Sequence, residues 1–155
     1  METDTVQTID RGPHRVARQA RVEAPADELF ALLANPHRHH EADGSGTVRP
    51  EVIGPRELLL GDRFTVSMKL GPVPYRITSA VTALEPGRVV EWQHPGGHRW
   101  RWEFEPQPDG STLVTEVFDY SAARLPAFIE RIKAPERNAR NMAASLRRLQ
   151  EHADR

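Results

Sequence analysis

A chain of 155 residues is the size of one domain and is long enough to bury a core. It has no cysteine, which excludes disulfides, thiolate metal sites and a cysteine nucleophile, and suits a reducing compartment. Twenty-one Lys and Arg against 22 Asp and Glu leave a formal charge of -1, which gives no overall pull toward nucleic acid.

Residues 1–13 read as a flexible tail, too polar for a secretory signal or a membrane anchor, and the lack of cysteine makes the bacterial cytoplasm the expected home. "HRVARQARVEA" then alternates Val16, Arg18, Ala20 and Val22 against Ala17, Gln19, Arg21 and Glu23, a strand that stops at Pro25. "PADELFALLA" opens on proline, carries Asp27 and Glu28 in its first turn and lines up Leu29, Leu32 and Leu33, which predicts a short amphipathic helix.

The next stretch, "NPHRHHEADGSG", concentrates His37, His39 and His40 with Glu41 and Asp43. Imidazole and carboxylate are ordinary zinc and iron ligands, but helical metal-binding histidines sit four apart so that both rings face one ion. Here they are two and one apart, and neighbouring helical positions diverge by about 100°. The segment is therefore expected to be a polar connector riding one short helical turn, with no metal and no cofactor.

Six short runs follow: "VRPEVIG", "DRFTVSMKL", "YRITSAVTALE", "RVVEWQH", "HRWRWEFEP" and "STLVTEVFDYS". Gly and Pro turns separate them, which predicts an antiparallel meander. In "HRWRWEFE", Trp100, Trp102 and Phe104 share one side and Arg99, Arg101, Glu103 and Glu105 the other. The final segment reads as a long helix with an apolar line at Phe128, Ile132, Ala139, Met142, Leu146 and Leu149. Pro135 predicts a kink, or a short helix followed by the main one. The basic residues of this segment are its expected wet face, not a nucleic-acid surface.

The predicted class is α+β: a curved antiparallel sheet of about seven strands wrapped on a long C-terminal helix, with two short helices after the first strand. Such a wrap commonly leaves a hollow between sheet and helix. The strings "RVEAPADELFALLANPHRHHEADGSG", "LEPGRVVEW", "GGHRWRWEFEPQPDGSTLVTEVFDYS" and "NMAASLRRL" together resemble the START-like helix-grip (SRPBCC) superfamily, in its polyketide cyclase/dehydrase-like bacterial branch. The resemblance makes residues 14–155 a single helix-grip domain and implies a cavity for a hydrophobic small molecule, aromatic or polyketide/lipid-like. Relatives often carry a tryptophan before the loop aspartate, where this chain has Glu41-Ala42-Asp43. The superfamily holds carriers, sensors and cyclases, so the fold alone does not decide for an enzyme. A cofactor-independent cyclase or dehydratase, and an interaction module with a filled core, are the rival readings. No membrane insertion is expected, and the oligomeric state stays open, a homodimer included.

With Trp100, Trp102 and Phe104 inward, the apolar sides of the strands place Phe64, Val66, Met68, Leu70, Tyr75, Ile77, Ser79, Val81, Val90, Trp92, Val114, Phe118 and Tyr120 on the inner face. The last strand is ambiguous, because Leu113 and Val117 argue for the opposite parity, and the family-like register resolves it. Candidate ligand-binding residues are Phe64, Met68, Tyr75, Ile77, Trp92, Trp100, Trp102, Phe118, Phe128 and Met142. In this register Glu116 also points inward, and in a helix-grip fold the first and last strands are neighbours, so Arg18 is its expected ion-pair partner. His94 and His98 bracket Pro95-Gly96-Gly97 and should meet across the hairpin. Glu116, Tyr120, His98 and His94 are the candidates for acid/base chemistry.

Overall fold

In the computed structural model, which describes residues 5–153, the chain starts with a strand, β1 (Gln7–Ile9), inside the predicted tail. This corrects the flexible-tail expectation for those residues: β1 pairs antiparallel with β2 (Arg15–Val22), Thr8 opposite Arg18. From the connection between them Arg11 reaches across the outer face of the sheet to Glu103, with two bonds of 2.9 and 2.7 Å. Residues 1–4 lie outside the described residues.

The first helix, α1 (Ala26–Leu33), buries Ala26, Leu29, Leu32 and Leu33, the face its spacing predicts. A 3-10 turn (Pro36–Arg38) and a four-residue helix, α2 (His39–Ala42), follow. The meander is β3 (Val48–Ile53), β4 (Arg63–Leu70), β5 (Val73–Glu85), β6 (Val89–Gln93), β7 (Arg99–Pro106) and β8 (Thr112–Asp119), and two helices close the chain, α3 (Pro126–Arg131) and α4 (Ala134–Ala153). All pairings are antiparallel, in the order β1-β2-β8-β7-β6-β5-β4-β3. Because β8 returns beside β2, the meander curls around α4, which packs on β2 and β8.

The helical segment breaks where Lys133 adopts φ 59°, and Pro135 lies in the first turn of α4, where its missing N–H breaks no helical bond. Ala139, Met142, Leu146 and Leu149 face the sheet, while Arg140, Arg147 and Arg148 are exposed. Leu146 and Leu149 are almost fully buried, each stabilising the grip by about 2 kcal/mol. Phe128 and Ile132, placed on the same apolar line from the sequence, depart from it: they are 56% and 44% exposed. In α3, Ile129 turns inward instead, against Phe118, Tyr120 and Met142.

Register fixes the ambiguous parity of β8. Phe118 lies opposite Trp100 and Val16, Glu116 opposite Trp102 and Arg18, and Val114 opposite Phe104 and Ala20. These rows belong to the inner face. Val117 is buried on the outer face instead, beside Ala17.

Candidate functional site

Three connections leave the sheet at one end. Asp119, Arg99 and Gln93 stand in one row of the ladder, continued by Ala80 of β5 and Arg63 of β4. Beyond that row lie the β6–β7 hairpin, the link from β8 into α3, and seven further residues of β5 (Val73–Ser79) running to the β4–β5 tip. Arg124 N–H donates to the Gly96 carbonyl at 3.0 Å, tying the start of α3 to the hairpin. Gly97 has φ 98°, and a Cβ there would sit 2.6 Å from the Ala122 carbonyl oxygen, so the contact requires glycine.

The hairpin brings His94 and His98 together as expected, Nε2 of one 3.1 Å from Nδ1 of the other. Burial lowers the pKa of His94 to about 3, helped by the neighbouring His98, and burial lowers that of His98 too. Both rings are thus neutral near pH 7, one donating to the other. They continue an aromatic row: His98 to Phe118 at 5.6 Å, Phe118 to Trp100 at 4.9 Å and Phe118 to Tyr120 at 5.5 Å between ring centroids. The Tyr120 hydroxyl leaves this row and donates to Glu130 Oε2 at 2.9 Å; burial and Glu130 push its pKa up to about 12. Tyr120 is therefore a poor proton donor toward the interior.

Deeper inside, Trp92 stacks on His39 at 4.6 Å, and Phe64 meets both rings edge-on. His39 Nε2 lies 2.7 Å from the Leu33 carbonyl, to which it donates, and burial lowers its pKa to about 4. Its neighbours diverge: His37 Nε2 reaches the Gly54 carbonyl at 2.9 Å, and His40 Nδ1 is buried without a partner. The connector thus sends one histidine into the aromatic core and the others elsewhere. His39 is the member that sequence spacing missed; nothing in "HRHH" marks which ring turns inward. Ala42, standing where relatives often carry tryptophan, is buried at the same turn. Asp43 organises the exit by accepting from the N–H groups of Ser45, Gly46 and Val48. Gly44 lies so close to α4 that a Cβ would sit 2.4 Å from the Ser145 nitrogen.

Of the ten candidate ligand residues, Phe64, Trp92, Trp102, Phe118 and Met142 are buried, and Met68, Ile77 and Trp100 are partly buried. Tyr75, 37% exposed, and Phe128 stand outside the interior, as does inward-assigned Leu70, at the end of the sheet where these three connections leave it. Glu116 is buried on the inner face, 6% exposed, and its Oε1 has no hydrogen-bond partner. Arg18 stands directly across the strand but donates to the Ala17 carbonyl at 2.8 Å, which corrects the expected ion pair. Desolvation, then the nearby Asp43 charge, raises the Glu116 pKa well above its ordinary value, which favours the protonated, neutral carboxyl. Two surface hollows, of about 190 and 630 Å³, open on the outer face; neither is lined by α4. Among the described residues no helix is long and apolar enough to cross a membrane.

A curved antiparallel sheet gripping a long C-terminal helix defines the START-like helix-grip class. The chain belongs within it to the polyketide cyclase/dehydrase and lipid transport family, which it matches over residues 13–154. It is 58% identical over 119 residues to uncharacterized protein Rv0088 of Mycobacterium tuberculosis, a match covering 77% of this chain and 53% of that protein. The chain thus spans about half the length of the curated relatives it matches. In fold it is similar to a crystal structure from Rhodobacter sphaeroides, with TM-score 0.73 at 16% identity, covering 95% and 96% of the two chains. A polyketide-cyclase-like protein from Corynebacterium glutamicum, Cgl2372, matches with TM-score 0.62 at 18% identity over 94% of each chain.

Proposed function

We propose that the protein binds a hydrophobic small molecule, aromatic or polyketide/lipid-like, between the sheet and α4. One observation carries this reading: the aromatic inner face of Trp92, Trp100 and Phe118 runs out to a single end of the sheet. Exposed apolar side chains of two elements, Leu70, Val73 and Tyr75 at the β4–β5 tip and Leu125, Phe128 and Ile132 around α3, stand at that end. Exposed apolar groups gathered at one end of an apolar interior suit an entrance. α3 buries none of its six residues, which suits an element that can be displaced to admit a ligand. The absence of cysteine suits a cytoplasmic protein.

Fluorene, a flat apolar probe, tests the reading. It should quench tryptophan emission saturably, and Met142→Phe, which fills space against Phe118 and Tyr120 at a cost of about 1 to 3 kcal/mol, should abolish the quenching in a folded protein. Trp92→Phe reports which ring senses the probe. Saturable binding unchanged in Met142→Phe would place the probe elsewhere. The closed packing of Met142, Leu146 and Leu149 supports a second reading, an interaction module with a filled core, and no binding across a panel of apolar probes would favour it. The hydrogen-bonded histidines support a third, a cofactor-independent cyclase or dehydratase; turnover of a flexible polycarbonyl substrate lost in His98→Ala would favour that one.

A further inference from the structure

The inner face carries one polar group that the fold leaves unanswered. Glu116 Oε1 is fully enclosed and makes no hydrogen bond, and no side chain of the described residues pairs with the carboxyl. A buried polar atom without a partner is destabilising, and native proteins rarely keep one without a use. An apolar residue at this position would complete a row already holding Val114 and Phe118 on the same strand and Trp102 across from it. Arg18, the cation within reach by register, is turned to its own backbone. Glu116 also lies on the sheet face that α4 covers, among the residues assigned above to the ligand.

We propose that Glu116 is the polar anchor of the internal site, and that it selects an uncharged apolar ligand whose carbonyl accepts a hydrogen bond from the Glu116 carboxyl. An anionic ligand is disfavoured, since it meets the Asp43 charge while Arg18, the cation of the same row, is turned to the Ala17 carbonyl and not to the Glu116 carboxyl. A cationic ligand needs an ionised Glu116, a buried ion pair with no further donors to satisfy the second carboxylate oxygen. A ketone, ester or lactone needs neither. It accepts one hydrogen bond and leaves the aromatic walls to hold the rest of the molecule.

This inference rests on the ligand-binding reading, and a matched probe series separates the two. Fluorene, 9-fluorenone, 9-aminofluorene and fluorene-9-carboxylate share one ring system and differ at one carbon. Binding to the full chain is read by tryptophan quenching and calorimetry. Fluorenone should bind about tenfold more tightly than fluorene, the value of one net hydrogen bond, and more tightly than the amine and the carboxylate. Glu116→Gln keeps a donor in the same place and should retain a preference for the ketone. Glu116→Met removes the donor, relieves the unpartnered oxygen and should bind both neutral probes within twofold of each other, its melting curve showing that it folds. Equal binding of fluorene and fluorenone to the wild type, or an unchanged preference in Glu116→Met, overturns the anchor while leaving the ligand site standing. Tightest binding by the amine overturns it in favour of a carboxylate counter-ion. Binding by none of the four overturns the ligand-site reading and the anchor with it.

Discussion

Glu116→Gln replaces a buried titrating group with a neutral one of the same shape, and the two proteins should part in stability as pH rises. The side chain is 6% exposed, and burial followed by the Asp43 charge holds its folded pKa well above 4.5, the value for an unperturbed glutamate. Below that unperturbed value both the folded and the unfolded chain carry the proton, so the group contributes nothing to the pH dependence. Above it, the unfolded chain releases a proton that the folded chain keeps. Stability then falls by about 1.4 kcal/mol per pH unit until the folded pKa is reached. His39 and His94, held neutral by burial, tilt the profile the other way below 6.5, but they are present in both proteins and cancel in the difference. Urea unfolding at half-unit steps from pH 4 to 8 measures it. The stability of wild type minus Glu116→Gln should be level near pH 4, then decline with a slope approaching -1.4 kcal/mol per unit. A flat difference would refute the buried, unpartnered carboxyl, and a difference rising with pH would mean that Arg18 pairs with it after all.

Leu146→Ala should destabilise by about 2 to 5 kcal/mol, because the side chain is fully buried, whereas exposed Arg147→Ala should change stability by about 0.5 kcal/mol or less; equal effects in denaturant melts would mean that the phase of α4 is wrong. Gly97→Ala combines a positive φ with a Cβ pressed on the Ala122 carbonyl and should cost about 1 to 3 kcal/mol, loosening the tie between the hairpin and α3; a thermal melt indistinguishable from wild type would sink this. His39 lowers stability as pH falls from 6.5 toward about 4, since the folded state resists the proton that the unfolded state takes up. His39→Gln, whose amide can still donate to the Leu33 carbonyl, should flatten that acid limb by about 1.4 kcal/mol per unit, and an unchanged limb would count against a buried neutral imidazole.

The strands were legible because one inner face is strongly apolar: Trp100, Trp102 and Phe104 set a period of two that the register confirms across β6 and β8. β8 alone was ambiguous, for a physical reason. Its outer face is also largely buried, Val117 at 2% beside Ala17, and periodicity reads burial, not direction. The His94–His98 contact was legible because a hairpin fixes its flanking residues. The Arg18–Glu116 pair was not: register set the two opposite each other, but a long flexible side chain chooses among acceptors that only the folded backbone presents. Phe128 and Ile132 misled because the left-handed Lys133 rotates α3 relative to α4, so one apolar stripe does not run through both. β1 was missed because three residues of "QTI" carry too short a pattern to separate from a tail.

The two free margins of the sheet have a bearing on how copies of this chain meet. β3, the far margin, holds Pro50, which offers no N–H, exposed Arg49 and Glu51, and a register shift between Val48 and Val52 that bends its ladder. β1, the other margin, ends after three residues. Neither offers a straight run of unpaired donors and acceptors long enough to template a neighbour. Growth of open-ended filaments by strand addition is blocked at both sides, and a dimer formed by continuing the sheet is disfavoured, so any self-association has to engage side-chain surfaces instead.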